Sequence, residues 1–192
     1  MTKGSCRTYE VNINNVGETL SFAERLAKQL FAGSVVALDG ELGAGKTTFT
    51  QGLARGLEIG RVVNSPTFTI IKEYAGRLKL NHMDVYRLAD GYSDIDFDEY
   101  FYGDGVTVVE WGTIIDELLP AEYLAIEITR AEGYGNGASG FTEDGYGVGT
   151  SGGLAEEYGV VASEKRIFRL TPHGKRYQEI CEVLINSENS SS

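Results

Sequence analysis

Residues 34–48 read Ser34-Val-Val-Ala-Leu-Asp39 and then Gly40-Glu-Leu-Gly-Ala-Gly-Lys46-Thr47-Thr48, and this stretch decides the fold. Its first part is a short run with an apolar centre, which is typical of a strand buried on both faces of a sheet. The second part matches the pattern G-x-x-x-x-G-K-[ST], in which a glycine-rich turn joins such a strand to a helix. The sequence therefore predicts an α/β protein with a strand, a turn and a helix at its centre.

The residue types in the turn suit the binding of phosphate groups. Glycines let backbone N–H groups converge on phosphate oxygens, and the positive end of the following helix dipole adds to their attraction. Lys46 supplies a charge to the β and γ phosphates, and the Thr47 hydroxyl is a ligand for Mg²⁺. We therefore interpret the turn as a P-loop that binds a nucleotide through the residues Gly43, Ala44, Gly45, Lys46, Thr47 and Thr48.

The flanking sequence predicts a mixed, partly antiparallel sheet between layers of helices, a P-loop NTPase-like three-layer sandwich. The antiparallel part is a hairpin of two strands, Thr67–Tyr74 and a second one ending near Asp84, joined by a turn at residues 75–77. The other predicted elements are a helix over Glu18–Phe31 capped by Thr19, a helix from the P-loop to about Leu57, a short acidic helix over Asp94–Phe101, a strand over Val106–Val109, a short helix over Ile114–Leu118, paired strands at Tyr123–Thr129 and Arg166–Leu170, and a last helix capped by Thr171-Pro172 and ending near Leu184.

A chain of 192 residues suits one domain, which we place at residues 1–185. A glycine-rich insertion interrupts it at about 131–165, since nine of the 23 residues from Ala131 to Gly153 are glycine. This insertion is either a tolerated surface loop or, through Tyr134, Phe141 and Tyr146, a loop that contacts a partner. The tail at 186–192 is mostly Ser, Asn and Glu and is predicted to be disordered.

Composition excludes several classes of protein. Two cysteines, Cys6 and Cys181, without a Cys-x-x-Cys pair argue against a disulfide scaffold or a zinc module, and fit a reducing cytoplasm. No segment approaches the ~20 apolar residues that a membrane span needs. The net charge of -11 disfavours unaided binding to a nucleic acid, whose affinity depends on attraction to phosphates. If RNA is involved, we expect a partner to hold it.

Two carboxylates are candidates for the chemistry of phosphoryl transfer. Glu110 ends one strand and Asp84 ends another, and functional groups of open α/β sheets collect at the carboxyl ends of strands. Glu110 suits a magnesium ligand or a water-orienting base; otherwise it is an exposed charge at a strand end. Asp84 has the same two possible catalytic roles, or it caps the turn before Tyr86. The sequence does not divide the roles of base and metal ligand between them.

Three further features lie near these carboxylates in the chain. Ser65-Pro66-Thr67 is either an ordinary turn or a switch segment in which Thr67 contacts the γ phosphate. Trp111, the only tryptophan, is either a core residue or a contact for a partner. We predict a structural role for His82. The guanine-reading Asn-Lys-x-Asp motif is absent, so the sequence does not favour GTP.

Several motifs together resemble the TsaE family, also called YjeE, small bacterial ATPases of tRNA threonylcarbamoyladenosine biosynthesis. The motifs are GELGAGKTT (40–48), SPTFTI (65–70), HMDVYRL (82–88), DEYF (98–101) and VEW (109–111), in the order and approximate spacing of that family. The resemblance spans about Glu18 to Thr129 and resumes over Arg166–Leu184. The glycine-rich insertion is not typical of the family, and Glu41 stands where the family often has aspartate.

The resemblance implies a slow ATPase that supports the TsaB and TsaD proteins, in a system where TsaD transfers a threonylcarbamoyl group to tRNA. It implies that Thr47 and Glu110 ligate Mg²⁺ beside ATP, and that Asp84 and Thr67 belong to the hydrolytic or switch apparatus. Trp111 corresponds to a tryptophan that is important in the family. Two alternatives remain, a nucleotide-gated interaction module with incidental hydrolysis and a small-molecule kinase.

Overall fold

The computed structural model describes residues 7–91, 95–131 and 165–189. Most of the predicted insertion, Asp94 and the last three residues lie outside these ranges. The elements are β1 (Tyr9–Ile13), α1 (Val16–Gln29), β2 (Ser34–Asp39), α2 (Lys46–Gly56), β3 (Ile71–Tyr74), β4 (Leu80–Asp84), a first 3₁₀ helix (Tyr86–Asp90), α3 (Phe97–Phe101), β5 (Val106–Glu110), a second 3₁₀ helix (Gly112–Leu118), β6 (Tyr123–Arg130), β7 (Arg166–His173) and α4 (Lys175–Asn189).

The seven strands form one sheet in the order β1-β7-β6-β2-β5-β4-β3. The pairs β2–β5, β2–β6 and β4–β5 are parallel. The pairs β3–β4, β6–β7 and β1–β7 are antiparallel. The prediction of a mixed, partly antiparallel sheet is therefore confirmed, with β2 at its centre and the predicted hairpin at one edge.

Helices cover both faces of the sheet, as the three-layer prediction requires. Side chains alternate between the faces of a strand, and Val35 of β2 belongs to one apolar cluster while Val36 belongs to the other. The larger cluster contains side chains of α1, α2 and α4. The rings of Phe22 and Phe49 each pack edge-on against Phe168 of β7 and are tilted relative to each other. The smaller cluster contains side chains of α3 and both 3₁₀ helices.

The first helix begins earlier than predicted, and Thr19 is not its cap. The side chain of Asn15 accepts a hydrogen bond from the Glu18 N–H at 2.9 Å, and the Glu18 carboxylate accepts one from the Asn14 N–H at 2.8 Å. This reciprocal arrangement at the end of a helix is a form of the capping box. It starts α1 at Val16, so Thr19 lies inside the helix and is buried.

Two predicted strand and helix boundaries were also wrong. Thr67–Ile70 form a turn rather than the start of β3, because the Pro66 carbonyl accepts the N–H groups of Thr69 and Ile70. Pro172 lies inside β7 and does not start a helix. Its missing N–H is tolerated because the pairing of β7 with β1 ends at Leu170.

The ends of two helices also differ from the prediction. Gly174, with a φ of 97°, makes the turn into α4, which extends to Asn189 and so includes residues predicted to belong to a disordered tail. Helix α3 begins at Phe97 behind the capping side chain of Asp96, later than predicted. None of the helices in the described ranges is both long and apolar enough to cross a membrane.

The close packing of α1 on α2 depends on glycine. A Cβ atom at Gly56 would lie 2.4 Å from the Glu24 carbonyl oxygen and 2.6 Å from the Ala27 Cβ. We expect Gly56→Ala to lower the free energy of unfolding by about 1–3 kcal/mol through overpacking, although alanine favours helices. Urea denaturation measures the change. Gly60→Ala is the matched control, since nothing lies within 4 Å of a Cβ there, and an equal loss in both variants would contradict the prediction.

Candidate functional site

The loop between β2 and α2 has the glycine-dependent shape that the sequence predicted. Gly40, Gly43 and Gly45 have φ angles of 144°, 75° and 114°, which side-chain-bearing residues rarely adopt. A Cβ at Gly40 would also lie 2.3 Å from the carbonyl oxygen of Ile128. Helix α2 starts at Lys46 directly after the loop, and the first N–H groups of a helix have no partner within it. The loop and helix end thus form a concave set of backbone donors, which suits an anion.

The ammonium of Lys46 lies at the base of this loop. Its Nζ donates hydrogen bonds to the carbonyl oxygens of Gly40 at 2.6 Å and Glu41 at 3.1 Å. It also lies 3.6 Å from the centroid of the Trp111 ring, a cation–π contact. The residue is only 5% exposed. Its ammonium therefore lies away from water, in contact with two carbonyl oxygens and the indole ring.

Burial and nearby carboxylates act in opposite directions on Lys46. Burial is the larger effect and lowers the pKa of the ammonium, because removal from water disfavours the charged form. The negative charges of Glu110, Asp84 and Asp39 raise the pKa and so offset part of that shift. The site therefore combines one buried cation with several carboxylates.

Glu110 and Asp84 lie side by side at the carboxyl ends of β5 and β4, where the two residues are in register. Both are nearly buried, with exposures of 3% and 5%, so neither is a solvated charge at a strand end. The Thr47 hydroxyl donates to Oε1 of Glu110 at 3.0 Å. The imidazole Nε2 of His82 lies 2.8 Å from the same oxygen. The predicted phosphate loop and the predicted carboxylates thus meet in one place.

Asp84 contacts the loop that contains Ser65 and Thr67. Its Oδ2 accepts hydrogen bonds from the Thr67 hydroxyl at 2.7 Å and the Ser65 hydroxyl at 3.2 Å. Its Oδ1 accepts the N–H of Tyr86 at 3.2 Å, which is the turn cap considered as the alternative. Asp84 therefore makes both the cap and a link to the predicted switch segment.

Trp111 adopts an unusual backbone conformation beside the P-loop. Its φ is 65°, and its N–H donates to the Leu38 carbonyl at the end of β2. Asp39 holds the next turn, since its Oδ1 accepts from both the N–H and the hydroxyl of Thr113. The indole lies 5.1 Å from the Tyr86 ring and faces Lys46. Strained residues of this kind are often found at functional sites.

These groups line a cavity of about 380 Å³, large enough for several phosphate groups and a metal ion. Of the predicted site residues, only Ala44 and Pro66 are not among its lining residues. The Ala44 side chain is buried, and its N–H donates to the Glu41 carbonyl. The lining residues are Leu42, Gly43, Gly45, Lys46, Thr47, Thr48, Ser65, Thr67, Asp84, Glu110 and Trp111.

A family model described as threonylcarbamoyl adenosine biosynthesis protein TsaE matches residues 13–136, which include every residue of the cavity. The chain belongs to the TsaE family. A TsaE relative from Bacillus subtilis, described as a tRNA threonylcarbamoyladenosine biosynthesis protein, is 43% identical over 93% of this chain and 94% of its own length. A TsaE relative from Treponema pallidum with the same description is 46% identical over 62% of this chain and 89% of its own length.

The crystal structure of Bacillus subtilis YdiB has a similar fold. It superposes with a TM-score of 0.72 at 36% identity, covering 97% of this chain and 99% of that one. The resemblance inferred from the five short motifs is thus confirmed at the level of family and fold.

The side chains of this TsaE-family site suit Mg²⁺ by their chemistry. The Thr47 hydroxyl, the Glu110 carboxylate and the Asp84 carboxylate are hard oxygen donors, the kind that Mg²⁺ prefers. Within the described ranges, no group of three or more His, Cys, Asp or Glu side chains forms a metal cage of its own.

Sequence reasoning missed three contributors to the site. His82 contacts Glu110, Asp39 holds the turn after Trp111, and Leu42 stands 87% exposed at the mouth of the cavity. The strand position of His82, two residues before Asp84, was a usable signal, since alternate residues of a strand share a face. Leu42 occupies a variable position of the P-loop pattern and carried no signal.

Proposed function

We propose that this chain binds ATP with Mg²⁺ and hydrolyses it to ADP and phosphate, in the cytoplasmic system that makes threonylcarbamoyladenosine (t6A) in tRNA. One observation carries the proposal. The Thr47 hydroxyl, at the start of α2, lies 3.0 Å from the Glu110 carboxylate and beside the buried ammonium of Lys46. The names of the TsaE relatives support the pathway. The partners would be TsaB and TsaD, with tRNA contacted only through them.

The residues of the site have distinct tasks in this reaction. The N–H groups at the start of α2 and the Lys46 ammonium bind the phosphates. Thr47 and Glu110 hold Mg²⁺, which when bound offsets negative charge on the phosphate oxygens. Water attacks the γ phosphorus, the bond to the β–γ bridging oxygen breaks, and ADP leaves. The proton of the water passes to a carboxylate or to phosphate.

The contacts favour a division of roles between the two carboxylates. Among the described residues, both hydrogen bonds to the Glu110 carboxylate end on Oε1, so Oε2 is left for a metal ion or water. Asp84 uses both oxygens for other contacts, to the hydroxyls of Ser65 and Thr67 and to the Tyr86 N–H. We assign Glu110 to the metal and the attacking water, and Asp84 to the position of the Thr67 loop.

A nucleotide-gated interaction module is a second candidate that one feature favours. Phe68, beside Thr67, is 85% exposed, and Leu42 of the P-loop is 87% exposed. Exposed apolar side chains next to a nucleotide site are typical of surfaces that bind another protein. A change at Thr67 on hydrolysis would move Phe68 and so alter the affinity for a partner. This role is compatible with ATP hydrolysis.

Trp111 provides a direct test of nucleotide binding, because it is the only tryptophan and faces the Lys46 ammonium. We expect its fluorescence to change on titration with ATP and Mg²⁺ and to saturate, since a phosphate that binds Lys46 changes the charge beside the indole. CTP and free phosphate are controls for the base and the anion. A flat titration of the folded protein would contradict nucleotide binding at this cavity.

The full role is tested by reconstitution with TsaB and TsaD. We expect slow ATP hydrolysis by the chain alone, faster hydrolysis with both partners, and t6A formation in tRNA that needs this chain. Hydrolysis unchanged by the partners, together with normal t6A formation without the chain, would refute the assigned pathway. Rapid transfer of phosphate to a small acceptor without partners would instead indicate a kinase.

A further inference from the structure

His82 is a buried polar residue with one satisfied and one unsatisfied nitrogen. It lies in β4 with no exposed surface, and its Nε2 is 2.8 Å from Oε1 of Glu110. Its Nδ1 is buried and has no hydrogen-bond partner within the described part of the chain. An unpaired buried polar atom is unfavourable, and an apolar side chain of similar size would fill the same space without that cost. The position therefore calls for an explanation other than packing.

The contact itself suggests what the imidazole does. Oε1 of Glu110 receives hydrogen bonds from two different elements, from Thr47 at the start of α2 and from His82 in the neighbouring strand. A single donor leaves a glutamate free to rotate, whereas two donors on one oxygen fix the plane of the carboxylate. Because the acceptor is a carboxylate, the nitrogen that faces it donates, so Nε2 carries a proton, while Nδ1 faces no acceptor among the described residues.

We propose that His82 is a positioning residue for Glu110, which it orients so that Oε2 faces the metal and phosphate site. This inference rests on the proposed function, since it assumes that Glu110 serves Mg²⁺ and ATP. Residues that orient a metal-binding side chain typically contribute about 10–100-fold to metal affinity. His82 acts only through Glu110.

The experiment compares Mg²⁺ requirements, measured by calorimetry of ATP binding at graded Mg²⁺ concentrations. In His82→Leu we expect the Mg²⁺ concentration for half-maximal binding to rise about tenfold. ATP affinity in EDTA should stay within about twofold, since the P-loop is untouched. His82→Gln should recover most of the loss, because its amide N–H₂ reaches about as far as Nε2. In a Glu110→Ala background, His82→Leu should have no further effect on the Mg²⁺ requirement.

Asn81 provides a matched structural control in the same strand. It is 1% exposed, donates to Thr107, and has an unpaired buried Oδ1, but it makes no contact with Glu110. We expect Asn81→Leu to leave the Mg²⁺ requirement unchanged, whatever it does to the urea midpoint. An equal rise in Asn81→Leu, an unchanged requirement in His82→Leu, or the same loss in the Glu110→Ala background would each overturn the proposal.

NMR of the wild-type imidazole keeps the proposal testable if His82→Leu does not fold. The chain has two histidines, His82 and His173, so the ring ¹⁵N signals are few. We expect His82 as the Nε2–H tautomer, with an Nε2 shift that moves in Glu110→Gln; an Nδ1–H tautomer would overturn the proposal. Failure of the proposed function has a different signature, since the wild type would then show no Mg²⁺-dependent binding of ATP.

Discussion

Lys46→Ala should abolish nucleotide-dependent activity while leaving the chain folded. Lys46 is the only side-chain cation that lines the cavity formed by the described residues. Its removal takes away at least one charge-assisted hydrogen bond to phosphate, with a net worth of about 1.5–3 kcal/mol. We therefore expect ATP affinity to fall about 10–150-fold, since 1.4 kcal/mol corresponds to a factor of ten. Hydrolysis should fall by about a further 10²–10³, because charge also develops on the phosphate oxygens in the transition state.

Calorimetry and phosphate release measure the two losses separately. Lys28→Ala is the matched control, because Lys28 forms an exposed ion pair with Glu24 on α1, away from the cavity. Urea denaturation establishes that both variants fold. If Lys46→Ala bound ATP with wild-type affinity, the cavity would not be the triphosphate site, and the proposed ATPase function would fail with it. Trp111 fluorescence in the same variant also reports the loss of the cation beside the ring.

The centre of the fold could be predicted from the sequence because its signals are local. The apolar run of β2 and the glycines that follow it act through neighbouring residues, and both are found where expected. Thr47 and Glu110 are 63 residues apart, yet their meeting follows from the rule that strand ends share one edge of the sheet. The same rule predicts the position of Asp84 beside Glu110.

Two of the wrong predictions involve contacts between distant residues. Thr171-Pro172 has the local pattern of a helix start, but pairing with β6 keeps these residues in a strand. Thr67 has a side chain suited to a strand, but its hydroxyl donates to Asp84 and the segment turns. Tertiary contacts of this kind override local preference, and one sequence alone does not reveal them.

The contact between His82 and Glu110 was missed for a related reason. A lone histidine in a strand is usually a packing residue, and the prediction of a structural role followed that expectation. The contact with Glu110 forms only when β4 pairs with β5, because Glu110 lies 28 residues further along the chain. Likewise, the sequence left open whether Asp84 caps a turn or serves the site, and the structure shows contacts of both kinds.

Glu110→Ala should impair ATP hydrolysis far more than ATP binding. In the proposed site the phosphates are bound by backbone N–H groups of the P-loop and by Lys46, and not by Glu110. We expect ATP affinity without Mg²⁺ to stay within about threefold, since removing a nearby negative charge also lessens repulsion of the phosphates. Hydrolysis should fall by about 10²–10⁴, the usual contribution of a positioned acid–base group. Single-turnover phosphate release measures the chemical step apart from binding.

Glu110→Gln separates the charge of this side chain from its shape. Its amide oxygen still accepts from Thr47 and His82, the two donors that contact Oε1 in the structure. If Glu110 acts through its negative charge on Mg²⁺ and water, the Glu110→Gln variant should hydrolyse ATP almost as poorly as Glu110→Ala. Extra Mg²⁺ should then restore little of the hydrolysis. If Gln instead kept most of the activity, the residue would serve only to hold Thr47. Full activity in Glu110→Ala would remove it from the mechanism and leave Asp84, which is in register with it on β4, as the carboxylate to test next.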